Sequence, residues 1–308
     1  MVALLALALA ACAPTNGSGD ATIGTGPRRT TTVPRALIDK GAIVSPAGVV
    51  MPIVERQGDA YAVSTPCGRA ATVTSGRPVA SAVVVLDPGH GGSDPGAVSP
   101  GGLRESPVNL AVSRYAQQAL ESAGVTALLT RTGDYDLELL SRAQIAKAVD
   151  AAAFVSIHHN AEPDGPWPRP GSETYYQIGS AASKRLAGLI YEEIVRALTP
   201  YAVTWVADLD AGAKYRQGTR GDYYAVLRQP APVVSVLAEL AFISNPPEAA
   251  LIVRPDVQQA EGEAVARGIL RYLRTQDPGS GFTEPYPRPT PPPGPGGGPA
   301  VGCVDPPL

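Results

Sequence analysis

The sequence predicts an α/β fold in which helices cover both faces of a sheet. Three runs of apolar, largely β-branched residues are typical of buried strands: residues 83–86, which stop at Asp-Pro-Gly, and residues 152–158 and 233–239. Strand and helix patterns alternate between the first two runs, and this order is typical of a sheet flanked by helices. Each run delivers a histidine or a glutamate at its carboxyl end, which is the edge where α/β sheets place their chemistry.

Composition limits the class of protein. The chain has 308 residues and a formal net charge of −3, which argues against nucleic-acid binding. Its 32 prolines and 33 glycines concentrate towards the two ends. We therefore expect one sizeable domain, residues 81–276, and a Pro/Gly-rich tail, residues 277–308, that is extended or disordered.

The amino-terminal residues are typical of an export signal. Residues 2–11 form an uninterrupted Val/Ala/Leu run that is too short to span a bilayer as a mature helix. The run ends Leu-Ala-Ala-Cys, which resembles a bacterial lipoprotein signal with Cys12 as the lipidated residue. The alternative is cleavage near Ala13 and release of a secreted protein. If Cys12 is lipidated, residues 13–32, which are rich in Gly, Ser, Thr and Pro, would form a disordered tether between the lipid anchor and the domain.

Two cysteines remain after the signal, Cys67 and Cys303. In an oxidising compartment they could form a disulfide that joins the tail to the amino-terminal region, or they could stay unpaired. Residues 33–80 carry short apolar runs separated by turn residues, a spacing that predicts a small β-rich region. The pattern assigns no function to this region.

The first half of the main domain contains a Gly/Pro loop followed by a helix. Ser106 has the residue type of an N-cap and Pro107 that of a first helical residue, which would place Glu105 just before the helix. The helix ends at Gly124, a strand pattern covers residues 125–130, and a second amphipathic helix covers residues 138–149. The strand that ends in His158 follows.

The second half continues with the same kinds of element. After a Pro-rich loop at residues 162–170, a short strand is predicted at 173–176 and a long helix at 182–198. Residues 201–222 have no regular pattern. A last helix is predicted at 257–273, after the strand that carries Glu239.

The chain has three histidines, His90, His158 and His159, and the first two follow or end predicted strands. A lone histidine is most often a core or surface residue. A structural zinc site needs four protein ligands, whereas a catalytic site needs three nitrogen or oxygen ligands and an open position. His90, Glu105 and His158 fit the catalytic pattern.

Glu239 ends a buried apolar run, where a carboxylate is costly unless it is paired or active. Hydrolysis of an amide needs a group that accepts a proton and then donates it to the leaving nitrogen. Glu239 is the candidate for that role, and the alternative is a glutamate that caps the following turn.

Six segments together resemble one family, the zinc-dependent N-acetylmuramoyl-L-alanine amidases of bacterial cell walls. They occur in the family's order and are VVVLDPGHGGSDPGAV, LRES, LLTRTGDYDLELLSR, FVSIHHNA, GSETYY and VVSVLAELAFISNPPE. The resemblance covers residues 83–273. It implies a mixed, mostly parallel sheet of about six strands flanked by helices, zinc ligands at His90, Glu105 and His158, and a catalytic glutamate at Glu239.

Two departures from the family pattern concern the site. The residue after Glu105, often lysine in the family, is Ser106, and the usually small residue after the ligand histidine is His159. Since side chains alternate along a strand, only one of the adjacent histidines can face the metal, and we favour His158. We expect His159 to be exposed. Some relatives carry an autoinhibitory helix after this histidine, but the short Pro-rich loop here is not compatible with one.

The resemblance implies an exported hydrolase that cleaves the bond between N-acetylmuramic acid and the L-alanine of the peptidoglycan stem peptide. One alternative is a zinc peptidase that cuts elsewhere in the stem peptide. Another is a wall-binding or regulatory protein that keeps the metal without turnover, although Glu239 argues against it. We expect peptidoglycan as substrate, the membrane as a partner through a lipid on Cys12, no nucleic acid, and a monomer.

Overall fold

The computed structural model describes residues 39–161, 171–203, 212–279 and 302–308, which lie in the same structural unit. The expected signal sequence, the tether, the loop at 162–170 and most of the Pro/Gly-rich tail lie outside the described residues. No helix in the described segments is long and apolar enough to cross a membrane.

An antiparallel sheet forms the amino-terminal part of the unit. Its five strands are β1 (Ala42–Val44), β2 (Val50–Gln57), β3 (Ala60–Ser64), β4 (Ala70–Val73) and β5 (Arg77–Val79). They lie in the order β4-β3-β2-β1-β5. Ile43, Met51 and Tyr61 are fully buried in its core. The alternation of apolar runs and turn residues therefore has its physical basis in successive antiparallel strands.

A mixed six-stranded sheet forms the centre of the molecule. Its strands are β6 (Val84–Pro88), β7 (Ala127–Leu129), β8 (Ala153–Asn160), β9 (Glu173–Tyr176), β10 (Gly212–Lys214) and, after the two-residue strands β11 (Gln217–Gly218) and β12 (Gly221–Asp222), β13 (Val234–Phe242). Their order is β10-β9-β13-β8-β6-β7, and every neighbouring pair is parallel except β9 with β13. The expectation of a mixed, mostly parallel sheet of six strands is confirmed.

Helices pack on both faces of this sheet. They are α1 (Glu105–Ser122), α2 (Leu139–Ala148), α3 (Ala181–Leu198), α4 (Ala225–Arg228), α5 (Pro246–Ile252) and α6 (Pro255–Arg274), with a 3-10 turn at Thr199–Tyr201. The apolar residues of α1, α3 and α6 share one core with one face of the sheet. Those of α2 and α4 cover the opposite face, where Ala42 and Val50 of the amino-terminal sheet join the same core. The two sheets are therefore held together by shared apolar packing.

The start of α1 differs from the sequence-based expectation. The N-cap is Arg104, not Ser106, and Glu105 lies in the first turn of the helix. The reason is that loop carbonyls replace a side-chain cap: Glu105 N donates to Ala97 O at 2.9 Å and Ser106 N to Pro95 O at 3.0 Å. Pro107, which has no N–H, falls in the first turn, where no intrahelical partner is needed.

Four short elements were not expected from the sequence. Residues 201–222, for which no regular pattern is predicted, contain β10, which extends the sheet beside β9, and the two-residue strands β11 and β12. Helix α5 follows Asn245, whose side chain accepts a hydrogen bond from Glu248 N, with prolines at the first helical positions.

Cys67 and Cys303 are bonded to each other, which resolves the alternative that the sequence left open. Asp305 reinforces the connection, because its carboxylate accepts from Cys67 N and pairs with Arg69, both at 2.8 Å. The last described residues are thereby fixed to the amino-terminal sheet.

Candidate metal centre and catalytic carboxylate

Three side chains converge at the carboxyl edge of the sheet. His90 follows β6, His158 lies near the end of the adjacent parallel strand β8, and Glu105 begins α1. The Glu105 carboxylate lies between the two imidazoles, with Oε2 3.1 Å from His90 Nε2 and Oε1 3.0 Å from His158 Nδ1. One ligand atom from each residue lies within 4.8 Å of the others. The fold thus brings together the three residues that the sequence predicted as ligands.

The turn that presents His90 is held by two arginines. His90 has φ of 62°, an uncommon conformation for a residue other than glycine. Arg131 donates to the carbonyls of Pro88 and Gly89, and Arg142 donates to those of Pro88 and His90. These bonds satisfy three successive carbonyls and stabilise the turn.

Asp87, the first residue of the Asp-Pro-Gly-His motif, supports the site from inside. It is fully buried, and its carboxylate accepts from Thr130, Arg142 and Ser156 at 2.6–2.8 Å. Burial alone would raise the pKa of Asp87, but Arg142 and the two hydroxyl donors outweigh burial and lower it. Asp87 therefore anchors Arg142, which in turn holds the His90 carbonyl.

The imidazole of His90 has carboxylates on both of its nitrogens. Its Nδ1 lies 2.7 Å from Asp94 Oδ2, on the side opposite Glu105. Burial would lower the pKa of His90, but the hydrogen bonds to Asp94 and Glu105 raise it to about 10. Asp94 is a supporting residue that the sequence analysis did not single out.

The pKa values of the other two members of the cluster, Glu105 and His158, are lowered. Burial would raise the pKa of Glu105, but hydrogen bonds to His158 and His90 hold it well below the ordinary value. The pKa of His158 is lowered, chiefly by burial and also by the charge of His90, against the effect of Glu105. These shifts favour an ionised Glu105 and a neutral His158, the forms in which both residues bind metals, whereas His90 must lose its proton to bind one.

Glu239 lies on β13, the strand next to β8. It is in register with His158 on one side and with Glu173 of β9 on the other, so these three side chains share one face of the sheet. Its Oε2 is buried and has no hydrogen-bond partner within the described part of the chain. Burial raises the pKa of Glu239 well above the ordinary value, and the charges of Glu105 and Glu173 raise it further.

Glu173 is the second carboxylate near Glu239, and its own oxygens are fully engaged. Oε1 accepts from Lys214 at 2.8 Å, and Oε2 accepts from the hydroxyl of Tyr175 at 2.6 Å and from Asn160 at 3.1 Å. Glu239, by contrast, has one buried carboxylate oxygen with no hydrogen-bond partner among the described residues.

His159 was expected to be exposed, and this expectation was wrong. It is 1% exposed and lies on the sheet face opposite His158, beneath α1 and α6. Its ring nitrogens face Asn109 of α1 at 2.8 Å and Glu261 of α6 at 3.4 Å. The alternation of side chains along β8 thus places the imidazole of His158, and not that of His159, beside His90 and Glu105.

The residues present fit a divalent metal. Two imidazoles and one carboxylate are the donors of a three-ligand catalytic zinc site. Glu105 also accepts from the backbone N–H of Ala97 at 2.8 Å and of His159 at 3.0 Å, which orients the carboxylate. The buried, unpaired oxygen of Glu239 close to this cluster is the kind of group that an occupied site would use.

Comparison with proteins of known sequence is consistent with this geometry. The chain is 35% identical to the uncharacterised protein YqiI of Bacillus subtilis over 209 residues, which are 67% of this chain and 90% of that protein. It is 30% identical to the germination-specific N-acetylmuramoyl-L-alanine amidase of the same organism over 210 residues, 64% of this chain and 81% of that protein.

Solved structures give the same result. The amidase AmiC2 of Nostoc punctiforme matches with a TM-score of 0.54 and 34% identity, over 62% of this chain and 96% of that chain. The catalytic domain of the amidase CwlV from Bacillus (Paenibacillus) polymyxa matches with a TM-score of 0.54 and 32% identity. The match covers 63% of this chain and 99% of that chain. The family model described as N-acetylmuramoyl-L-alanine amidase matches residues 84–271, which contain the whole cluster around Glu105. The chain therefore belongs to the N-acetylmuramoyl-L-alanine amidase family.

Proposed function

We propose that this protein is a zinc-dependent hydrolase that cleaves the amide bond between N-acetylmuramic acid and the L-alanine of the peptidoglycan stem peptide. The observation that carries the proposal is the position of Glu239 in register with His158, next to the cluster of His90, Glu105 and His158. Family membership supports the reaction, since the germination-specific relative is named for this activity.

His90, Glu105 and His158 would hold the zinc. Zinc bound by three such ligands polarises a carbonyl and lowers the pKa of water to ~7. The protein contributes a prearranged donor set, in which Glu105 is oriented by backbone N–H groups and His90 by Asp94.

Glu239 would move the proton. Its raised pKa lets the carboxylate accept a proton from the attacking water and donate it to the departing amine. A carboxylate with an ordinary pKa would be a weaker donor at neutral pH.

The donor set is tested by measuring zinc content. We expect one zinc per chain in the wild type, and loss of both zinc and activity in His90→Ala and His158→Ala, because each change removes one of three ligands. Metal analysis of the purified, folded variants checks this. Full zinc content in His158→Ala would show that His158 is not a ligand.

We also propose that the protein acts in the cell envelope as a monomer, attached to the membrane through a lipid on Cys12. The Cys67–Cys303 disulfide supports an exported protein, because such bonds persist in oxidising compartments. Metabolic labelling with a radioactive fatty acid tests the anchor: label should enter the wild type and be absent from Cys12→Ala. Label retained in Cys12→Ala, or absent from both proteins, would exclude lipidation at Cys12.

A further inference from the structure

Behind Glu105, on the side away from His90, lies a connected row of buried polar side chains. Asn109 Nδ2 donates to Glu105 Oε1 at 3.0 Å, and Asn109 Oδ1 faces His159 Nδ1 at 2.8 Å. His159 Nε2 faces Glu261 Oε2 at 3.4 Å. Asn109 and Glu261 are fully buried and His159 is 1% exposed, so the row is closed off from solvent.

The partners of Asn109 determine which way its amide points. Its nitrogen faces two acceptors, an oxygen of the Glu105 carboxylate at 3.0 Å and the carbonyl of Gly89 at 3.4 Å. The amide oxygen must therefore face His159, and His159 Nδ1 must carry the proton that it donates. A proton on His159 Nδ1 thus stabilises the same amide orientation in which Asn109 donates to Glu105.

His159 reaches Glu105 by a second route. Its backbone N–H donates to the same oxygen, Glu105 Oε1, at 3.0 Å. Glu105 Oε1 is consequently held by β8 through the main chain and by α1 through Asn109, while Glu261 connects the row to α6. Three elements that pack around the site all contribute to the position of one carboxylate.

We propose that Asn109 and His159 are positioning residues that orient Glu105 and thereby set the affinity of the site for its metal ion. This inference rests on the proposed function, because it takes Glu105 as a metal ligand. Without the row, the Glu105 carboxylate keeps the backbone donors of Ala97 and His159 but loses the side-chain donor behind Oε1, so its orientation is less restricted. Residues that support a metal ligand in this way typically change metal affinity 10–100-fold when they are replaced.

The test uses the full chain and zinc alone. Asn109→Leu removes the donor to Glu105, and Asn109→Asp keeps the size of the side chain but turns a carboxylate oxygen towards Glu105. His159→Leu removes the proton that orients Asn109, whereas His159→Asn retains a donor at the position of Nδ1. Ser113→Ala is the matched control, since it removes a buried hydroxyl on the same helix, which donates to Asn109 O at 2.7 Å, without touching Glu105.

Zinc dissociation constants are measured by competition with a chromogenic chelator, and the visible spectrum of the cobalt-loaded proteins reports the ligand geometry. We expect zinc to bind ~10–100-fold more weakly in Asn109→Leu, Asn109→Asp and His159→Leu. We expect affinity near that of the wild type in His159→Asn and Ser113→Ala. The weakened variants should also show an altered cobalt spectrum while their metal-free forms keep the circular dichroism of the folded wild type.

Wild-type affinity and an unchanged cobalt spectrum in folded Asn109→Asp and His159→Leu would overturn the inference and leave the proposed function intact. Equal losses in Ser113→Ala would also overturn it, since the effect would then follow any polar deletion on this face of α1. A wild-type protein that binds no zinc would overturn both proposals.

Discussion

Glu105 is the residue on which the candidate site depends. Its two oxygens contact His90, His158, Asn109 and the backbone N–H groups of Ala97 and His159. A carboxylate that is 3% exposed needs such donors, because an unpaired buried charge is expensive. The same donors that stabilise Glu105 in the fold keep it ionised and oriented for a metal.

Replacing Glu239 separates metal binding from proton transfer. Glu239→Gln keeps the shape of the side chain but cannot accept or donate the proton, so we expect full zinc content and a rate lowered by ~10² or more. Metal analysis combined with turnover on purified peptidoglycan measures both quantities. A variant with near wild-type turnover would remove Glu239 from the mechanism.

The sequence predicted the cluster of His90, Glu105 and His158 because strand ends are visible as apolar runs that stop at a polar residue. It did not predict the residues behind Glu105, although signals existed. Asn109 lies one helical turn after Glu105 among apolar residues, and Glu261 lies between Val257 and Val265 on the apolar face of α6. A polar residue on an apolar face is a mark of a buried network.

His159 shows what the sequence could not reveal. The alternation of side chains along β8 correctly predicts that His159 and His158 lie on opposite faces of the sheet. It does not predict whether the face that carries His159 is exposed to solvent or covered by helices. The packing of α1 and α6 over that face decided the outcome, and such packing is a tertiary property.

At the scale of elements, the turn after β6 passes close to the side chain of His158 at Gly89. A Cβ added to Gly89 would lie less than 3.0 Å from the imidazole of His158. The strand end must therefore be glycine for His158 to keep its place.

We expect Gly89→Ala to remain folded but to lose most of its zinc affinity and activity, because the added methyl group displaces His158. Gly101→Ala is the control, since its Cβ would meet only Ser99 Oγ at 3.7 Å and its φ is ordinary. Zinc titration and circular dichroism of both variants measure the effect. Wild-type zinc affinity in Gly89→Ala would mean that the close approach does not constrain His158.

Most elements were predicted to within two or three residues, because their patterns are strong. The differences that remain have local causes. Helix α1 begins at Glu105 because loop carbonyls cap it, which residue types do not reveal. Strand β10 has only three residues and lies at the edge of the sheet. It is too short for an alternation of apolar and polar residues to be recognised in the sequence.

At the scale of the whole molecule, the carboxyl-terminal residues are attached to the rest of the protein by more than the disulfide. Val304 N donates to Asp136 Oδ2 at 2.9 Å, and Asp136 Oδ1 accepts from the hydroxyl of Ser93 at 2.7 Å. Ser93 lies in the loop that follows His90. The carboxyl-terminal residues therefore contact both the amino-terminal sheet and the loop beside the site.

Removing the disulfide should lower the free energy of unfolding by about 2–5 kcal/mol, because a cross-link between residues 236 positions apart restricts the unfolded chain. Chemical denaturation of the wild type and of the Cys67→Ala/Cys303→Ala variant measures this difference. The wild type under reducing conditions should match the variant, and a midpoint that does not change in either comparison would contradict a stabilising role.

The reaction itself is the central claim, and the products of peptidoglycan digestion test it most directly. Purified full-length protein is incubated with peptidoglycan, with and without a zinc chelator, and the soluble products are identified by mass spectrometry. We predict free stem peptides that begin with L-alanine and glycan strands with unsubstituted N-acetylmuramic acid, and neither product after chelation. Cleavage within the stem peptide, or release of the same products after zinc has been removed and shown to be absent, would contradict the account.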